Sequence, residues 1–219
     1  MNSQPRRPQA LTVITPGTPR DEGQTVHVQN LPAPEDSGSS AQVRLICLAC
    51  SPQHLERYRA WAYALSDPIE LIAVDVQRHA ECVPCDFQQG PSPLARTLAD
   101  HLHPYLSQPH AIFGQRLGAH LAFELTQLAE REHPGQTRHL FVSSCDSPRA
   151  TEPRASISAI QVPMTVLYPA GSLSQMLGWH AFVRRELELI ELPDASADPS
   201  HVDQRLVRIF DTHLGLLSF

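Results

Sequence analysis

Ala111-Ile112-Phe113-Gly114-Gln115-Arg116-Leu117-Gly118-Ala119-His120-Leu121-Ala122-Phe123-Glu124-Leu125 passes from an apolar run through two glycines into a helical pattern. The order predicts a short strand, a tight turn and a helix. Gly114 and Gly118 are spaced as in G-x-S-x-G, a turn that raises a serine nucleophile above the edge of a sheet. Each glycine has a steric reason to be there, because the turn is sharp and the helix packs close to the strand. The middle position is Arg116, not serine. Two glycines four residues apart also suit any strand–turn–helix of an α/β sheet, so this stretch alone fixes a layer arrangement and no chemistry.

Around this stretch the chain alternates strands and helices. Residues 43–48, Val43-Arg44-Leu45-Ile46-Cys47-Leu48, form an almost wholly apolar strand, as expected where both faces of a sheet are covered. A loop through Cys50, Ser51 and Pro52 leads to a helix containing Tyr58, Trp61, Ala62 and Leu65. Residues 69–76 form the next strand. Residues 77–91 read as a long loop before a helix over 94–106, in which Leu94, Leu98, Leu102 and Leu106 recur every four residues. After the elbow, the helix runs to about Arg131. Strands follow at 139–143 and 163–168, then a helix at 179–185, a strand at 187–192 and a final helix at 202–214. Alternating β and α elements argue for a parallel, doubly wound sheet.

The chain has 219 residues, of which 42% are hydrophobic, enough for one domain with a full core. A net charge of -6 gives no electrostatic case for nucleic acid. No apolar run approaches the roughly 20 residues of a membrane helix, and the first residues lack the apolar core of a secretory signal. A cytoplasmic protein is expected. Residues 1–24, rich in proline, glycine and charge, are expected to be a disordered extension, with one apolar spot at Leu11-Thr12-Val13-Ile14. Residues 25–219 are then a single domain. Residues 25–29 alternate and suit an edge strand.

Several segments, in order and spacing, resemble the type II thioesterases that accompany nonribosomal peptide and polyketide synthases. They are Leu45-Ile46-Cys47-Leu48 with Tyr58-Arg59-Ala60-Trp61; Glu70-Leu71-Ile72-Ala73-Val74; the opening stretch; Leu140-Phe141-Val142-Ser143; and Val162-Pro163-Met164-Thr165-Val166-Leu167 with Trp179 and Leu192-Pro193. The resemblance covers residues 26–214. It implies an α/β-hydrolase fold, a three-layer αβα sandwich with a mostly parallel sheet. It also implies hydrolysis of acyl groups from the phosphopantetheine arm of carrier domains, with no cofactor. An acyl or peptidyl carrier domain or a synthase module is the implied partner.

The departures bear on function more than the match does. The family's nucleophile falls on Arg116, and a permanently protonated guanidinium cannot attack a thioester. The family's aspartate position lies in Pro169-Ala170-Gly171-Ser172, which carries no carboxylate and is represented by Ser172. The family's histidine position falls on Ser196, within Leu192-Pro193-Asp194-Ala195-Ser196. The loop that helps to build the oxyanion hole reads Ser51-Pro52-Gln53, and Pro52 has no amide proton. Residues 144–162 are too few for the family's helical lid, so that region is largely deleted. Together these changes predict that ordinary serine hydrolysis is lost.

Displaced residues are the alternative. Cys50 and Cys145 lie just beyond strand ends, where an α/β sheet keeps its site. His201 lies near Asp198 and Asp203, although Pro199-Ser200-His201 also reads as the first turn of the last helix with Ser200 as its cap. Cys47, Cys50, Cys82 and Cys85 make two C-x-x-C pairs, the spacing of a zinc ribbon. A helix and a buried strand separate the pairs, so zinc held by Cys50, Cys82 and Cys85 is the minor reading and no metal site is expected. Two classes remain: a noncatalytic binding or accessory protein with Arg116 as a candidate anion site, or an acyl-thioester hydrolase or acyltransferase using Cys50, Cys145 or His201. For Arg116 an internal ion pair with Asp75, Asp146 or Asp194 is the first expectation, a side chain that simply extends into solvent the second, and an anion site for a ligand the third.

Overall fold

The structure, a computed structural model, describes residues 12–14, 43–77, 91–147, 158–193 and 199–215. Seven strands form one sheet among these residues: β1 (Thr12–Ile14), β2 (Val43–Ala49), β3 (Ile69–Asp75), β4 (His110–Gln115), β5 (Thr137–Ser143), β6 (Met164–Pro169) and β7 (Leu187–Leu192). Their spatial order is β1-β3-β2-β4-β5-β6-β7, and every pairing is parallel. Parallel neighbours need long crossovers. Helices α1 (Pro52–Ala64), α2 (Pro93–Leu106), α3 (Leu117–Glu132) and α4 (Leu173–Met176), the last continued by a 3₁₀ helix over Leu177–Phe182, lie in such crossovers, and α5 (Pro199–Gly215) follows β7. The strand pattern predicts this parallel sheet, and the resemblance implies its α/β-hydrolase-like αβα sandwich.

The two-residue period of the strands divides the core. Leu45, Cys47 and Ala49 face one layer with Tyr58, Trp61, Leu206 and Phe210 from α1 and α5. Ile46 and Leu48 face the other layer with Leu98, Leu102, Ala122, Phe123 and Trp179. Burial on both faces explains why β2 has no polar/apolar alternation. On the α1/α5 side, Trp61, Phe113 and Phe210 pack at ring separations of 5.6, 5.6 and 5.2 Å. Aromatic pairs at this spacing add about 0.5–1.5 kcal/mol each beyond area burial. On the other side Phe123 meets Trp179 at 5.6 Å, which seats the 3₁₀ helix against α3.

Side-chain caps fix two helix starts. Ser51 Oγ accepts from the His54 amide at 3.3 Å, with Pro52 opening α1. Ser92 Oγ accepts from the Ala95 amide at 3.2 Å, again ahead of a proline, and Ser92 also donates to the buried Glu124 on α3. That bond ties α2 to α3.

The fold departs from the sequence reading in three places. Residues 12–14 are not part of a disordered extension. They pair with Ile72, Ala73 and Val74 as the edge strand, because the one apolar spot of that segment continues the sheet. The expected helix at 179–185 is instead α4 followed by the 3₁₀ helix, and Val183 already has extended backbone. Gly178 sits so close to the loop after β5 that a Cβ there would lie 2.0 Å from Ser147 Oγ. The last helix begins at Pro199, ahead of the expected 202, so Ser200 lies in its first turn. The expected strand at 25–29 and the domain boundary at residue 24 lie outside the described residues, as does most of the segment read as a shortened lid.

Candidate active site

Gly114 and Gly118 build the elbow as their spacing predicts. A Cβ on Gly114 would lie 2.1 Å from Gly118 O, which no side chain tolerates without moving the backbone. A Cβ on Gly118 would lie 3.1 Å from Cys50 Sγ, a tight contact with a side chain. Between them, Arg116 has φ 53 and ψ -120. This lies outside the regions open to residues with a Cβ, and such conformations cost about 1–3 kcal/mol. The Arg116 amide donates to Ser143 O at 2.9 Å, and Arg116 O accepts from the Ala119 amide at 2.9 Å. The strained turn that would present a nucleophile is therefore intact, and it presents an exposed guanidinium.

The elbow lies at the topological switch point. The chain leaves β2 for α1 on one face of the sheet and leaves β4 for α3 on the other. The adjacent C-terminal ends of β2 and β4 thus open a crevice, the usual ligand position in such sheets. Cys50 and Ser51 line one wall, and Gln115 and Arg116 the other. The amide of Leu117, in the first turn of α3, is of the kind that makes one oxyanion donor. Across the crevice the Cys50 amide donates to His54 Nδ1 at 3.3 Å, and Pro52 has none to offer. That bond requires an unprotonated Nδ1. Burial first, then the charges of Arg57 and Arg116, push the His54 pKa down, in keeping with a neutral ring.

Arg57 of α1 reaches over the same edge. Its Nη1 donates to Gln115 Oε1 at 3.1 Å, its Nε donates to Asp203 Oδ1 of α5 at 3.0 Å, and its Nη2 also pairs with Asp203. The guanidinium carbon lies 5.1 Å from the Trp61 ring centre. One planar fork thus joins α1, α5 and the residue before the elbow. Asp75, at the end of β3, accepts from the Gln77 amide at 3.0 Å. Neither Asp75 nor Asp146 pairs with Arg116, so the internal ion pair expected from these two does not form. Asp194 lies outside the described residues.

The cysteines differ sharply. Cys47 is fully buried, and burial raises its thiol pKa well above the ordinary value. Burial also pushes Cys50 up to about 11, against a lowering bond from the Gly118 amide, so thiolate at this position is scarce. Cys145 is half-buried just past β5, with Sγ 3.3 Å from His120 Nε2. Ser172 precedes α4 without capping it through its side chain. His201 is exposed in the first turn of α5, while its neighbour Asp203 is engaged by Arg57. Ser196, Asp198, Cys82 and Cys85 lie outside the described residues. Among the described residues, no three His, Cys, Asp or Glu side chains are grouped to hold a metal. No helix among them is long and apolar enough to cross a membrane.

Four residues at the site were not singled out by the sequence reading: His54, Arg57, Gln115 and His120. His120 was within reach of it, because it follows Arg116 by four positions and so shares its helix face. Arg57 carried no such sign, since Asp203 lies 146 residues away.

Comparison with known proteins places this geometry. The family model for the thioesterase domain matches residues 44–176. The linear gramicidin dehydrogenase LgrE of Brevibacillus parabrevis is 28% identical over 119 residues, 54% of this chain and 45% of that protein. The gramicidin S biosynthesis protein GrsT of Aneurinibacillus migulanus is 25% identical over 115 residues, 51% of this chain and 43% of that protein. The chain therefore spans less than half the length of either. Among solved structures, the thioesterase RedJ from the prodiginine pathway of Streptomyces coelicolor superposes with a TM-score of 0.63 at 19% identity. That match covers 84% of this chain and 92% of RedJ. ClbQ from the colibactin NRPS/PKS pathway superposes with a TM-score of 0.62 at 19% identity, covering 80% of this chain and 98% of ClbQ. At these identities the superpositions speak to fold.

Proposed function

Because this chain belongs to the thioesterase domain family, whose model spans residues 44–176, we propose that it is a member without hydrolytic activity that serves as a binding or accessory protein. The observation that carries this reading is Arg116 in the strained elbow conformation, where the family resemblance calls for serine. A guanidinium can neither attack a carbonyl nor be restored to nucleophilicity by a base. Two further features support it: Ser172 stands where a carboxylate is called for, and the Cys50 amide is taken up by His54.

The relatives named for peptide and polyketide pathways make a carrier domain or synthase module the proposed partner. Arg116, exposed at the N-terminus of α3, is the proposed contact for an anionic group such as the phosphate of phosphopantetheine. Calorimetric titration of a phosphopantetheinylated carrier domain tests both parts. The expected result is binding by the wild type that weakens in Arg116→Ala. Absence of binding removes the partner reading, and equal binding by both proteins removes Arg116 as the contact.

A further inference from the structure

The vacated elbow has a thiol beside it. Arg116 N–H is bonded to Ser143 O, and Cys145 follows two residues later. The backbone carrying Cys145 is held from both sides. The Ser144 amide donates to Leu167 O at 2.9 Å with Ser144 at φ 51, and Trp179 Nε1 donates to Cys145 O at 3.0 Å. His120 approaches from α3, one turn beyond Arg116. Its Nε2 lies 2.9 Å from Asp146 O and 3.3 Å from Cys145 Sγ. A carbonyl oxygen only accepts, so Nε2 carries the proton and donates to Asp146 O. Cys145 S–H points at the same carbonyl, at 3.4 Å. Once the thiol proton is lost, the sulfur 3.3 Å away shares the Nε2–H that also serves Asp146 O, and that sharing stabilises a thiolate.

Exposed apolar side chains lie on the two elements that carry or hold this pair. Leu117, 56% exposed, opens α3 one turn before His120. Leu177, 55% exposed, precedes Gly178, which packs on Ser147 of the Cys145 loop. Aliphatic groups left in solvent on the elements that hold the thiol suit an acyl chain.

We infer that Cys145 is an acyl-accepting thiol, with His120 as the positioning residue that holds its thiolate. The Cys145 thiol gives its proton to solvent, and the thiolate adds to a thioester carbonyl. The bond from that carbon to the donor sulfur breaks, the departing thiolate takes a proton from solvent, and the acyl group remains on Cys145. No electrons are transferred. Because Nε2 is committed as a donor, it does not activate water, so the acyl protein accumulates instead of turning over. Cys47 and Cys50 are not comparable acceptors: one is enclosed, and the other is held protonated by burial.

The inference does not require a carrier domain, so the test uses a small donor, S-hexanoyl-N-acetylcysteamine, and leaves the partner reading independent. The full chain is incubated with the donor and followed by intact mass and peptide mapping, with Cys50→Ala, Cys145→Ala, His120→Ala and His120→Gln alongside. The expected result is a single hexanoyl adduct on Cys145, cleaved by hydroxylamine, retained in Cys50→Ala and absent in Cys145→Ala. Alkylation by iodoacetamide reads the thiolate separately. In His120→Ala its rate at neutral pH falls about tenfold, as for a pKa displaced by one unit, and its pH profile moves upward. His120→Gln, which keeps an N–H donor, recovers part of the rate. An adduct mapped elsewhere, no adduct, or a pH profile unmoved by His120→Ala in protein with native circular dichroism overturns the inference.

Discussion

Replacing Arg116 by glycine and by alanine separates backbone from charge at the elbow. Both substitutions remove the guanidinium, so their difference in stability reports only on the backbone. At an ordinary position, glycine is about 0.5–1 kcal/mol less stable than alanine, because the unfolded chain gains freedom. At φ 53 and ψ -120 alanine keeps the strain and glycine loses it. Strain of about 1–3 kcal/mol set against that entropy leaves glycine ahead by about 1 kcal/mol. For a domain of this size this amounts to about 2–4 °C in Tm. Urea unfolding followed by tryptophan fluorescence reads the difference directly, with equal m-values as the check that both variants share one unfolding reaction. Trp61 and Trp179 report from opposite faces of the sheet. Arg116→Gly less stable than Arg116→Ala refutes the claim that the elbow conformation is retained around a non-nucleophile.

Other perturbations test neighbouring parts of the account. Gly114→Ala is expected to destabilise by about 3 kcal/mol or more, since backbone must move, whereas Gly118→Ala has one tight neighbour, the Cys50 sulfur, and loses about 1 kcal/mol; equal midpoints in urea contradict the elbow packing. Arg57→Lys is expected to lose about 1–2 kcal/mol, because one ammonium cannot serve Asp203 and Gln115 together, and a double-mutant cycle with Asp203→Asn measures that coupling. Burial lowers His110 from 6.5 to about 4 and His139 from 6.5 to about 3. Between the unfolded and folded values the unfolded chain binds more protons, so stability falls as pH drops below 6.5. His139→Phe is expected to flatten that fall between pH 6.5 and 4, and an unchanged slope removes His139 from the acid response.

The legible parts of the sequence were those with a dominant local cause. β2, β3, β4, β5 and β6 are short β-branched and aromatic runs enclosed on both faces, and their apolar continuity marked them. The leucines of α2 recur at the helical period, and Gly114 and Gly118 marked the elbow. β1 was not legible, because three residues give no period and their pairing depends on β3. The helix read at 179–185 lies instead at Leu173–Phe182 and is partly 3₁₀, because its geometry follows from Gly178 packing on Ser147 and Trp179 packing on Phe123. At the site, Arg116 could be assigned to the elbow from its spacing. Its lack of a partner in Asp75 and the linking of α1 to α5 by Arg57 are tertiary facts with no local pattern. Cys145 was visible as a residue beyond a strand end, and the spacing of His120 from Arg116 placed it on the elbow side of α3, but their pairing follows only from α3 lying beside β5.

Free acid released from an acyl-loaded carrier domain measures most directly whether the thioesterase elbow is retained here without hydrolysis. Wild type and Arg116→Ser are both expected to release acid at the rate of buffer alone, with no more than one acyl group per chain retained on the protein. Release of many equivalents of acid by the wild type contradicts it.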